Sequence, residues 1–410
     1  MSNKPGYKPT PLGWIPEEWE IKKFGEIVSS SQYGLSNASS DGGRYKIIGM
    51  KNIQRGELVT DECATVNLKE DEFEKYKLLP GDFLFNRTNS YDLVGKSVLI
   101  EFDPDATFAS YLIRFKLNKR KVVPKFVYYF FNTDKSDKKL KAIATKAVSQ
   151  ANINPTVLQR IFEVLIPPLH EQQKIAAILS TWDEAIAKNQ QLIAQLQQRN
   201  KGLMQQLLTG KKRLKGFCKE WREVRFGDIT VNFSRRNKSL VNAKIYSVTN
   251  TNGFVLQSEH FSREVAGEDL SNYKIIQKNE FAYNPARINV GSIAYFTEDI
   301  GVISSLYVCF STTDKILDYY LELLLKLDLT KHKISSYGEG GVRIYLWYDL
   351  FKTIRIKIPE RKEQEVIVQI LKKSNDEISL YQQKLFALQH QKKGLMQKLL
   401  TGEVRVKINN

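Results

Sequence analysis

The chain has 410 residues, 42% of them apolar and 11% aromatic, which is too long for one hydrophobic core and enough for two. Lys and Arg number 62 against 45 Asp and Glu, a net charge of +17 that points to a polyanionic partner, nucleic acid first. Cys63, Cys218 and Cys309 are too scattered for a disulfide framework, the four histidines lack a second ligand type at metal spacing, and no apolar run reaches the roughly 18 residues of a membrane span. The opening MSNKPGYKPTPLGWIPEEWE lacks the apolar stretch of a signal peptide, so a cytoplasmic protein is expected.

In chain order, a first block over 1–165 opens with EWEIKKFGEI at 18–27 and contains strand-like alternations leading into FLFNRTNSYDLVGKS at 83–97. Arg87, Thr88, Asn89, Ser90 and Tyr91 form a loop rich in guanidinium, amide and hydroxyl groups. Arg bonds guanine in two places and Asn does the same for adenine, so these types suit base-edge reading, although the same letters also make a solvated turn. A segment over 166–210 then begins IPPLHEQQKIAAIL, with Pro167 and Pro168 suited to a first helical turn. Ile175, Leu179, Trp182, Ile186, Ile193, Leu196, Leu203 and Leu207 recur in alternating steps of four and three, with Asn189 and Asn200 filling the two gaps, which is the period of a coiled-coil seam. The seam is about 48 Å long at 1.5 Å per residue, and the segment closes with KGLMQQLLTG, where Gly210 suits a left-handed helix cap.

A second block over 211–357 repeats the opening as EWREVRFGDI at 220–229. SRRNKS supplies Arg235, Arg236 and Lys238, types that contact phosphates and position without specifying. NPARIN supplies Arg287 and Asn289 at the point matching the first loop, and Arg343 completes the candidate DNA contacts. The last segment, 358–410, runs from IPERKEQEVIVQIL to KGLMQKLLTG with Gly402 at the cap, and its seam is Ile367, Leu371, Ser374, Ile378, Tyr381, Leu385, Leu388, Lys392, Leu395 and Leu399.

The chain is thus a tandem repeat. A shift of 192 aligns 166–210 with 358–402 without a gap, and a shift of 202 aligns the two EW openings. Between them only a skeleton survives, such as KIIGMKN opposite KIYSVTN and FASYLIRF opposite ISSLYVCF, as expected of two domains of one fold reading different things. The two seams satisfy each other if the helices pair antiparallel, with Ile175 meeting Leu399, Asn200 facing Ser374, and Trp182 facing Lys392 so that the lysine stem lies across the indole. Each helix packing on its own domain, or pairing with a second chain, remains the other arrangement.

No catalytic constellation is present in these letters. IPPLH lacks the polar lead residue of a methyltransferase proline motif, NPAR lacks its second proline and aromatic, VGKS at 94–97 is only the tail of a phosphate loop, and Glu20-Ile21-Lys22 has no Asp before Asp41 to complete a metal-nuclease motif. A self-sufficient methyltransferase, or a coiled-coil scaffold that binds no DNA, are the competing readings.

The whole layout resembles the DNA specificity subunit of type I restriction-modification systems. The residues that carry the resemblance are LGWIPEEWEIKKFGEI, FLFNRTNSYDLVGKS, NPARINVGSI, IPPLHEQQKIA and the doubled KGLMQ-LLTG. It implies an α+β protein with two similar globular α/β target-recognition domains, 1–165 and 211–357, separated by two long α-helices that pair as an antiparallel coiled coil with internal pseudo-twofold symmetry. It also implies a non-catalytic subunit. Each recognition domain would read one half of a bipartite asymmetric site on double-stranded DNA. The helices would fix the spacing and dock two methyltransferase (modification) subunits, and two restriction/translocase subunits would join. S-adenosylmethionine, ATP and Mg would be bound by those partners, with no metal or cofactor in this chain.

Overall fold

The computed structural model describes residues 4–407 except 37–39, 41, 55, 149, 241–242, 261–269 and 338–344. The chain forms two compact units, one of residues 1–189 with 384–410, the other of residues 190–383. Each unit therefore contains half of each long helix.

In the first unit an antiparallel sheet runs in the order Ser97–Leu99, Asp82–Asn86, Leu112–Leu117, Val28–Tyr33. The strand Asp82–Asn86 is buried along its whole length because both faces of the sheet are covered. Alternate side chains serve the two sides: Phe83 and Phe85 join a core with Phe24, Phe115, Phe126 and Phe131, while Leu84 joins Ile48, Leu78, Val98 and Phe108. Rings in the larger core meet at angles, Phe24 lying 5.0 Å from Phe115 and 4.8 Å from Phe131. Arg114, turned toward the smaller core, is buried and bonded to the carbonyls of Lys77 and Lys75, to Asp82 and to Gln32.

The second unit repeats this plan with different residues. Its antiparallel sheet has the order Thr230–Phe233, Val308–Thr312, Phe281–Tyr283, Ile293–Tyr295, and a second sheet has the order Gly253–Leu256, Ile245–Thr249, Ile300–Ile303, Lys274–Gln277. In both units the EW opening forms a strand paired antiparallel with the strand that leads into a long helix, Glu20–Lys23 with Glu163–Ile166 and Arg222–Arg225 with Arg355–Ile358.

The long helices are Leu169–Leu208 and Arg361–Leu400. Every seam position named above is buried or half-buried, the polar Asn189, Asn200 and Ser374 included. In the first unit Ile175 and Leu179 share a core with Leu399 and Leu400, and Asp183 pairs with Lys392. In the second, Leu207 shares a core with Ile367 and Leu371, and Asn200 Nδ2 donates to Asn375 Oδ1 at 2.8 Å. Both sets run in opposite directions along the two helices, so each half-pair is antiparallel.

Two layers differ from the expected register. The polar partner of Asn200 is Asn375 and not Ser374, because a carboxamide reaches farther than a hydroxyl and offers an acceptor directly. The Lys392 ammonium goes to the Asp183 carboxylate and over the Tyr129 ring at 5.3 Å, not across Trp182, since a charge-assisted hydrogen bond outweighs a contact with an indole face. Tyr129 also donates to Asp183 Oδ2 at 2.5 Å. Burial and that carboxylate push its phenol well above the ordinary tyrosine range.

The helix entries are held by the same two devices in each unit. Gln172 takes the Val123 amide hydrogen at 2.8 Å and gives its own to the carbonyls of Pro167 (2.8 Å) and Lys121 (3.3 Å). Gln364 does the same with the Leu317 amide (2.9 Å) and the carbonyls of Pro359 and Lys315 (both 3.1 Å). Beside them, the buried carboxylate of Glu171 accepts from the Trp19 indole at 3.0 Å and from Arg405 at 2.7 and 3.0 Å. The buried Glu363 accepts from Trp221 at 3.2 Å and from Arg213 at 3.0 Å twice. Each arginine stands three residues beyond a helix-capping glycine, Gly210 or Gly402, whose φ values of +70° and +72° are those of a left-handed cap. At Gly402 a Cβ would also fall 2.4 Å from the Pro16 ring.

Candidate nucleic-acid interface

In the first unit the strand Asp82–Asn86 delivers the chain to Arg87, whose backbone is fixed on both sides: its N–H donates to the Tyr111 carbonyl at 3.0 Å and its carbonyl accepts from Ile153 N–H at 2.8 Å. The next residues, Thr88–Asn89, pair with Ala151–Asn152, which pairs in turn with Thr145–Lys146. Thr88 is buried and its hydroxyl accepts from Asn152 Nδ2 at 3.0 Å, so it shapes the edge from within. Asn89 accepts from the Ser90 amide, and the Ser90 carbonyl takes the amide hydrogens of Leu93 and Val94, which closes the turn. Tyr91 is exposed, with Lys146 Nζ 3.7 Å above its ring. The Arg87 guanidinium stacks over Tyr33 at 5.3 Å. Arg87, Thr88, Asn89, Ser90 and Tyr91 therefore lie on one edge, together with Tyr33, Tyr111 and Lys146.

The second unit is arranged differently. Arg235 is tied to the Glu280 carboxylate and to Gln277 Oε1, and lies over Phe233 at 4.3 Å. Arg236 donates to Asn272 Oδ1 at 3.0 Å, whereas Lys238 is exposed. Arg287 is exposed in a turn closed by its amide to Asn284 O (3.0 Å) and its carbonyl to Ser292 N–H (3.1 Å), and Gly291 supplies the turn with φ +96°. Asn289 follows, half-buried, its carbonyl accepting from Ser335 Oγ at 3.3 Å. Arg343 lies outside the described residues. Next to this turn, the Leu346 amide donates to the Pro285 carbonyl at 2.9 Å. Leu346 is buried while Tyr345 and Trp347 on either side are exposed and nearly parallel, 9° apart with centroids at 6.3 Å.

Sequence reading missed these aromatics. For Tyr345 and Trp347 the signal was the alternation around an apolar residue; for Tyr33 and Tyr111 no local pattern marks them as exposed. Among the described residues no group of His, Cys, Asp and Glu is gathered to hold a metal, and no helix is long and apolar enough to cross a membrane. Several enclosed phenols and thiols have raised proton affinity, Cys63 among them by burial. Burial pushes up Tyr128, Tyr283 and Tyr320, and brings Tyr295 and Cys309 to about 12.

Two diverged polar edges, each built on a unit that holds the same helix entry in the same way, define a duplicated module. Residues 16–198 and again 218–390 match the type I restriction modification DNA specificity domain. The chain belongs to that family, a class of non-catalytic specificity subunits. It is 27% identical to a Methanocaldococcus jannaschii protein assigned as the MjaX type I restriction enzyme specificity subunit, over 98% of this chain and 97% of that one. It is 22% identical to the MjaVIII specificity subunit of the same organism, over 96% and 94%. The fold is shared with the type I restriction-modification S subunit from M. genitalium, at a TM-score of 0.53 and 16% identity, covering 95% of this chain and 97% of that one.

Proposed function

We propose that this chain selects a bipartite, asymmetric site on double-stranded DNA for a type I restriction-modification complex, one half-site per recognition unit. The observation that carries this reading is the contrast between a repeated frame and unlike edges. Gln172 and Gln364, Glu171 and Glu363, and Trp19 and Trp221 play the same parts, while the edge around Arg87 and the turn around Arg287 share almost no side chains. In this reading the recognition domains span 1–165 and 211–357, and the helical segments 166–210 and 358–410 set the spacing and dock two modification subunits. Restriction/translocase subunits join that core in the cytoplasm. S-adenosylmethionine, ATP and Mg belong to the partners.

The test is to assemble the chain with its modification subunits and map methylated bases in exposed DNA. Two unrelated half-sites at one fixed separation are expected. Adding a heptad to both long helices should widen the gap and leave the half-site letters unchanged. A palindromic or contiguous site, or letters that change with the insertion, would contradict the reading.

A further inference from the structure

Several arginines of this chain are neutralised within it: Arg114, Arg213, Arg235, Arg355 and Arg405 all end on a carboxylate. Arg87 does not. Its Nε is shielded from solvent and has no hydrogen-bond partner, and its guanidinium lies 5.3 Å from the centroid of the Tyr33 ring. A half-buried guanidinium with no carboxylate on it leaves its outer donors for an acceptor that arrives from outside.

The surroundings specify what kind of acceptor fits. The guanidinium is a flat fork lying over the Tyr33 ring, and the backbone on either side is fixed by Tyr111 and Ile153. A phosphate contact needs reach and tolerates a mobile side chain, whereas a base edge needs a fixed plane and paired donors. Guanine presents O6 and N7 side by side in the major groove, at the spacing of that fork. Tyr33, Tyr91 and Tyr111 are exposed around it and offer flat apolar surface to a base edge or a thymine methyl.

Resting on the reading of the preceding subsection, we propose that Arg87 reads a guanine in the half-site of the first unit, and that Tyr33 is the residue that positions it. In the second unit no such arginine stands on a ring without a carboxylate among the described residues, since Arg235, which lies over Phe233, is neutralised by Glu280. Among the described residues the placement of Arg87 on Tyr33 thus has no counterpart in the second unit.

The experiment is selection from a randomised duplex library by the chain assembled with its modification subunits, comparing wild type with Arg87→Ala, Arg87→Lys and Tyr33→Leu. Thermal melting confirms that each variant is folded. Arg87→Ala should lose roughly tenfold or more in affinity for the selected site and relax one G·C position in one half-site, leaving the other half-site unchanged. Arg87→Lys should recover only part of the discrimination, because a point charge cannot bond both acceptors. Tyr33→Leu should relax the same position more weakly, a shift that a merely structural role for the ring would not confine to one base pair. Weakening that is uniform across sequences, with a shallower salt dependence, would make Arg87 a phosphate contact and overturn the proposal. Unaltered letters in Arg87→Ala would also overturn it. A wild-type complex that selects no split site would overturn the underlying reading, and this inference with it.

Discussion

At the helix entries the two units are chemical copies, Trp19–Glu171–Arg405 against Trp221–Glu363–Arg213, down to which groups donate and which accept. Farther along the helix pair, at the layer of Trp182 and Lys392, the likeness ends. Lys392 and Asp183 form an ion pair in the first unit, and their repeat equivalents in the second, Asn200 and Asn375, form an amide pair. The difference separates two jobs. A buried carboxylate at an entry must find both its donors or the helix loses its seat, so the whole trio is kept together. A polar layer in a seam can be an ion pair or an amide pair, and in the second unit it is tolerated even with Asn200 Oδ1 and Ser374 Oγ left without a hydrogen-bond partner.

The strongest way to break the comparison is at the entries. Glu171→Ala and Glu363→Ala each strand an indole N–H and take the buried carboxylate from an arginine, at a cost of about 3 kcal/mol, the lower part of the range for a broken buried pair because Arg405 keeps Glu18 and Arg213 keeps the carbonyls of Phe217 and Lys219. Hydrogen exchange should show each substitution loosening its own unit to the same degree; a large effect in one and none in the other would end the claim of equivalence.

Alkaline titration should come next and should separate the units. Their enclosed phenols and thiols hold their protons more tightly folded than unfolded, so the stability they contribute is complete below the unfolded values, about 8.5 for a thiol and 10 for a phenol, and is lost as pH rises toward the folded ones. The first unit has Cys63, Tyr128 and Tyr129 in this state, and the second has Tyr246, Tyr283, Tyr295, Tyr320 and Cys309. Limited proteolysis between about pH 9 and 12 should therefore cut the second unit first. Early cleavage of the first unit would contradict this.

The smallest effect belongs to the seam. Asp183→Asn replaces a partly exposed ion pair, so a loss of about 1 kcal/mol is expected, together with a weaker dependence of stability on salt. A loss as large as that at the entries would mean that the layer cannot be exchanged for its amide equivalent.

Much of this architecture was legible in the letters because it was written twice. The seams, the capping glycines and the doubled EW openings follow from periodicity and self-alignment, whereas the strand pairing of those openings does not. The entry trios were hidden, although Glu171 and Glu363 align in the repeat. A glutamate in a first helical turn reads as a solvated acid beside the helix dipole, and its burial depends on a tryptophan 152 residues away. Distance also hid the partners of Arg235 and Arg236, read as phosphate contacts in SRRNKS, which Glu280 and Asn272 hold in this structure. Arg87 was named for its type alone; that it stands on Tyr33 without an acceptor is a fact of strand pairing, which a single loop cannot encode.

The first unit is finished by the last part of the chain: Glu171 waits for Arg405, and Tyr7 donates to the Gly402 carbonyl at 2.9 Å. On the ribosome, the first half made is therefore the last to be completed. Its seat for the first long helix stays open while the second unit is translated, and a chain released early would leave Glu171 without its guanidinium.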